Sequence, residues 1–147
     1  MKIFLLVCLS SVYLFSAGFW TLTGISKANI YIVNEIPFLD PKVIAQTKEK
    51  MNATLLKNGI KTKQQDSPTL MMTFKEIEGE DTHYVYVELA LGEDAQTYRD
   101  NKASVFVISY LVNEFLELDS EELDSGVLES VDFVLSEFSE QFEDDKD

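Results

Sequence analysis

The residue pattern predicts a single α+β domain, a mostly antiparallel sheet of about four strands with two helices packed on one face, in the order β-α-β-β-β-α. Three observations carry that expectation. Thr69 to Ile77 and His83 to Leu91 alternate apolar and polar residues at the strand period. Two other stretches repeat apolar residues at helical spacing, and the first of them has capping residues at both ends. The chain has 147 residues, 46% of them apolar, which suffices for one packed core and not for two ordinary domains.

Ala28 to Ile36 reads as a short strand, with Ile30, Ile32 and Ile36 on one side and Pro37 closing it. Asp40-Pro41 is a helix start: the Asp side chain accepts from free first-turn amides, and proline suits the first helical position. Gly59 fits the position just past the end, where positive φ is required. Between them Ile44, Thr47, Met51 and Leu55 form one helical face, flanked by Val43 and Leu56. Ile60 to Ser67 is a polar connection.

In the next strand Leu70, Met72 and Phe74 point one way. Gly79-Glu80-Asp81 gives a turn. Val85, Val87, Leu89 and Leu91 then share a face, with Tyr84, Tyr86 and Glu88 opposite, so the two runs read as a hairpin. Gly92 to Lys102 is polar and reads as loop, with extension of the strand as the alternative. Val105 to Val112 is rich in β-branched and aromatic residues, which favours a buried strand, with a helix running on through Asn113 to Leu118 as the alternative. Gly126 to Phe142 is the second helix, with Val127, Val131, Val134, Phe138 and Phe142 in one stripe and Glu129, Asp132, Glu137 and Glu140 on the other side. An acidic tail follows, so the domain plan is residues 1–28 as a leader or anchor, 29–143 as the α+β body and 144–147 as tail.

The leader assignment rests on Met1-Lys2 followed by the uncharged, Leu-, Ile- and Phe-rich run Ile3 to Leu14. Small residues stand at the −3 and −1 places of two cleavage sites, one after Ser16-Ala17-Gly18 and one after Ser26-Lys27-Ala28. The rival is an uncleaved anchor, since Ile3 to Ile25 is 23 residues without a charge and a spanning helix needs about 20. Either way the body faces out of the cytoplasm: periplasmic or secreted in the first case, held on the inner membrane in the second. Cys8, the only cysteine, lies inside the leader, so the body has no disulfide and no thiolate chemistry. That suits a bacterial envelope. Asn52-Ala53-Thr54 matches a glycosylation triplet by chance.

Charge excludes more than it includes. The net charge is −14, which argues against nucleic acid and against anionic membrane surfaces. A membrane is expected only through an uncleaved N-terminal segment. His83 is the single imidazole. Zinc needs several N/S ligands, and none of the usual nucleophile or phosphate-loop motifs is present. Paired-carboxylate hydrolysis remains open by residue type alone. Glu114 to Asp147 holds fourteen acids and one lysine. Within it Asp119, Glu121, Glu122 and Asp124 are the candidate ligands for a hard cation such as Ca²⁺, although Leu123 and Gly126 fall out of calcium-loop register. Pro41 to Gln65 carries six lysines against one acid, so the two helices attract each other within one molecule, or between neighbours if they lie apart. Tyr84, Tyr86 and Met71 are the partner-binding candidates, should one sheet face be uncovered.

The expected function is therefore that of an exported acidic envelope protein with a non-catalytic binding or assembly role, through an envelope partner or self-association and with no cofactor. A divalent-cation or small-ligand binder is the first alternative and a small carboxylate hydrolase the second.

Overall fold

The computed structural model describes residues 21–62, 68–78 and 83–146. The leader, Cys8 and the Gly79-Glu80-Asp81 turn lie outside them. The elements are β1 (Asn29–Asn34), α1 (Pro41–Lys57), β2 (Thr69–Glu78), β3 (His83–Gln96), β4 (Ser104–Leu118) and α2 (Leu123–Asp144). They form one α+β domain with the spatial strand order β1-β2-β3-β4. β1 and β2 are parallel, joined through α1; β2–β3 and β3–β4 are antiparallel.

α1 begins as its sequence dictates. The Asp40 carboxylate accepts the Lys42 N–H at 2.8 Å, Pro41 opens the first turn, and Gly59 beyond the end has φ +74°. Its buried face is Val43, Thr47, Met51 and Leu55. Val43 takes the place expected of Ile44, which is only partly buried, and Leu56 points to solvent. The helix axis sets the core stripe at the i, i+4, i+8 row, which a count of apolar residues alone does not resolve.

α2 starts at Leu123, three residues before the expected Gly126. Leu123 is buried and carries the first turn into the core. Gly126 is an interior position where the helix meets β4: a Cβ there would lie 2.5 Å from Leu118 Cδ2. At the other end the helix runs on through Glu143 and Asp144 instead of fraying. Asp145 accepts the Gln141 side-chain amide at 2.8 Å, and Lys146 sits over the Phe142 ring at 4.6 Å.

Two readings left open by the sequence are decided. Gly92 to Gln96 is strand, not loop, and it continues β3 past a bulge at Leu91/Gly92. The Phe106 ring occupies the space a side chain at 92 would need, with Phe106 Cζ 2.1 Å from an ideal Cβ. A side chain at 92 would have to displace that ring. Asn113 to Leu118 is strand throughout, because its backbone pairs with His83 to Glu88. The 105–112 strand is present as expected.

One core lies between the sheet and the helices. Leu70, Met72, Phe74, Val85, Val87, Leu89, Leu91 and Tyr110 meet the buried stripes of both helices in a single cluster. Tyr110 packs edge-on against Phe138, ring centroids 5.5 Å apart. Both helices therefore cover the same face.

The body begins before Asn29. Residues 21–28 run as a strap joining three elements. The Thr21 N–H donates to the Ser109 carbonyl on β4 at 2.9 Å, and the Leu22 N–H to the Asp145 carboxylate at 2.6 Å. Lys61 then donates to the Ser26 carbonyl and accepts from the Ala28 N–H. Leu22 and Ala28 are buried in the core, with Ile25 against it.

Candidate functional site

The strand alternation that buries Val85, Val87 and Leu89 sends Tyr84, Tyr86, Glu88 and Ala90 to the sheet's other face. Register builds rows across that face. Tyr31, Met71, Ala90 and Leu111 lie in one row; Lys75, Tyr86 and Phe115 in a second; Ile77, Tyr84 and Glu117 in a third. The expected partner-binding residues Met71, Tyr84 and Tyr86 are thus brought together, away from the helices.

Tyr31, Ile77, Phe106 and Phe115 on this face each keep more than half of their surface exposed. An antiparallel sheet with one wet face ordinarily alternates apolar-in with polar-out. Here much of the outer set is apolar or aromatic as well. The Tyr84 and Phe115 rings stack with centroids 6.0 Å apart and planes 15° apart. The Tyr86 hydroxyl donates to Glu88 Oε2 at 2.6 Å. Burial first, then that hydrogen bond and the carboxylate's charge, push the Tyr86 phenol up to about 12. Tyr31, Phe106 and Phe115 were not singled out from sequence; period-2 alternation marks the side of Tyr31 and Phe115, but Phe106 reaches this face only through the bulge opposite Leu91/Gly92.

A second arrangement sits at one end of the sheet, on the helix side. His83 Nδ1 contacts Glu76 Oε1, its Nε2 lies 2.9 Å from Ser120 Oγ, and the Phe38 ring is 5.2 Å from the imidazole. Glu76 is nearly buried and His83 about three-quarters so. Serine, imidazole and carboxylate in line is the order of a nucleophile, its base and the group that orients the base. From sequence His83 reads as an isolated histidine. Glu76 is near it because β2 and β3 pair antiparallel, but Ser120 arrives from the segment between β4 and α2, and no local spacing announces it.

The candidate cation ligands do not form a cage. Asp119, Glu121, Glu122 and Asp124 are all exposed around the first turn of α2. Asp124 accepts the Asp40 N–H at 3.3 Å, and carboxylates in this position favour the positive end of the helix dipole. Among the described residues no group of three or more His, Cys, Asp or Glu is placed to hold a metal ion. No helix among them is long and apolar enough to cross a membrane. The basic and acidic helices lie side by side, joined by Lys50 to Asp132 at 2.6 Å. A shallow groove of about 420 Å³ between them is lined by Lys50, Thr54, Asp132 and Ser139.

No protein-family model matches the chain. No curated protein matches it either. Among solved structures it is similar to a variant of PelC from Paraburkholderia phytofirmans, solved as a dodecamer, at 20% identity over 79% of this chain and 88% of that one, with a TM-score of 0.43. A likeness that loose carries no conclusion about this chain.

Proposed function

We propose that the chain is an exported, non-catalytic binding protein of a bacterial envelope, which docks a protein partner on the uncovered face of its sheet. One observation carries the reading: Tyr31, Met71, Tyr84, Tyr86, Phe106 and Phe115 share a single face that no helix among the described residues covers. Aromatic residues and methionine are the types enriched in protein interfaces: aromatic rings supply large contact area at little rotamer cost, and methionine adapts its shape to a partner. The export half of the reading rests on the leader-like first residues.

The test is photo-crosslinking in cells from a reactive residue placed at Phe115, with Leu56 on the solvent side of α1 as control. One discrete adduct from position 115, absent from position 56 and lost when Tyr84→Glu is added, supports docking on this face. An adduct of the chain with itself narrows the partner to a second copy. No adduct from position 115, or equal adducts from both positions, overturns the reading.

The line of Glu76, His83 and Ser120 favours a second reading, hydrolysis with Ser120 as nucleophile. Against it stand Asp119, Glu121 and Glu122, which flank Ser120 in sequence and oppose the negative charge an acyl-transfer intermediate develops. Labelling of Ser120 by a fluorophosphonate, abolished by His83→Ala, would establish that reading.

A further inference from the structure

We propose that the leader is cut between Gly18 and Phe19, and that residues 21–28 stay with the mature protein as a structural strap. The inference rests on the export reading above.

The sequence offers two sites with small residues at −3 and −1, after Gly18 and after Ala28. The two products differ in what they leave of the fold. A cut after Ala28 removes Leu22, which is 1% exposed, and Ala28, which is fully buried, and it strips Ile25 from the core edge. It also removes the partners of four backbone hydrogen-bonding groups or side chains: the Ser109 carbonyl, the Asp145 carboxylate, and the N–H and carbonyl of Lys61. These belong to β4, the end of α2 and the segment after α1, so one loss loosens three elements. A cut after Gly18 leaves every one of those contacts in place. It also leaves only Phe19 and Trp20 ahead of the strap.

The strap bears on the anchor alternative too. The N–H groups of Thr21 and Leu22 are held by the Ser109 carbonyl on β4 and the Asp145 carboxylate at the end of α2, so a membrane span cannot extend to Ile25. The uncharged run outside the body then shrinks to Ile3 through Trp20. The site itself is read by the peptidase on the unfolded chain during export, and the −3/−1 pair at Ser16 and Gly18 directly follows the apolar run. The reaction is hydrolysis of one peptide bond: water adds across it, leaving a carboxylate on Gly18 and an α-amine on Phe19.

The experiment expresses the full chain with a C-terminal tag in a Gram-negative host, recovers it from the envelope, and determines its intact mass and N-terminal sequence. The expected N-terminus is Phe19, and Gly18→Leu, which fills the −1 position, is expected to abolish processing. An N-terminus at Asn29, or processing unaffected by Gly18→Leu, overturns the proposal. Met1 retained on membrane-bound protein overturns it in favour of an anchor. Met1 retained on cytosolic protein means that the export reading itself has failed, and the cleavage with it. As a measurement independent of processing, Leu22→Ala in the exported protein is expected to lower the melting temperature by about 5 °C or more; no shift overturns the structural role of the strap.

Discussion

On the helix side of the sheet, Leu70, Met72, Phe74, Val85, Val87 and Leu89 are fully buried. On the other side of the same sheet, Tyr31, Ile77, Phe106 and Phe115 remain more than half exposed. Both sets are apolar, so hydrophobicity alone does not distinguish them. What differs is the partner: two amphipathic helices turn their stripes to one face, and nothing among the described residues does so for the other. A side chain in the first set contributes to folding. One in the second contributes mainly to whatever it meets after folding.

The largest expected effects sharpen that contrast. Phe74→Ala should cost about 3–5 kcal/mol, because it removes a fully buried ring and leaves a cavity. Phe115→Ala should cost no more than about 1 kcal/mol, the worth of its stacking on Tyr84. Urea unfolding of the two variants measures both, and equal losses would break the distinction between the faces.

Within the covered side, Thr47 is fully buried and its hydroxyl has no hydrogen-bond partner. Thr47→Val keeps the shape and removes an unsatisfied polar group, so it should raise stability by about 1 kcal/mol. A loss of that size in the same assay would show that the hydroxyl is paired.

Tyrosine ionisation reads each face separately. Burial, and then the charge of Glu137, raise the Tyr110 phenol on the covered face well above its usual range, and Tyr86 on the open face rises to about 12. For both, the folded state holds its proton when the unfolded chain, titrating near 10.0, has lost it. The associated stability is complete below that pH and is lost as pH climbs toward the folded values. Melting followed upward from pH 9 should therefore fall, and Tyr110→Phe should flatten the fall.

The smallest effect concerns the helices. The pair of Lys50 and Asp132 is exposed, and its coupling in a double-mutant cycle should stay under about 1 kcal/mol. Stabilisation from the opposed helix charges should also weaken with salt. A melting temperature unchanged or rising between low salt and about 0.5 M would count against their attraction.

Much of the fold was legible because it is written at short range. Asp40, Pro41 and Gly59 act on neighbours a few residues away, and period-2 alternation in 69–77 and 83–91 needs only the adjacent residue. The misreadings fall where a distant residue decides. Gly92 looked like a loop glycine because Phe106, whose ring fills its missing side chain, lies across the strand pair. Gly126 looked like a helix start because Leu118, which needs the space, comes from another element. Met71, Tyr84 and Tyr86 were legible as sharing one side of a hairpin, since alternation alone assigns sides. Whether that side is covered depends on the helices, which the apolar pattern already places together on the other face.

The sequence by itself determined the element types, their order, the caps of α1, the single core and the absence of cysteine chemistry from the body. Local backbone preferences and the periodicity of apolar residues suffice for these. Only the tertiary structure decided that Ser120 meets His83 and that Leu22 belongs to the core. Each of these joins residues far apart in the chain, and burial of apolar surface is non-directional, so the pattern says which residues must be covered but not by what.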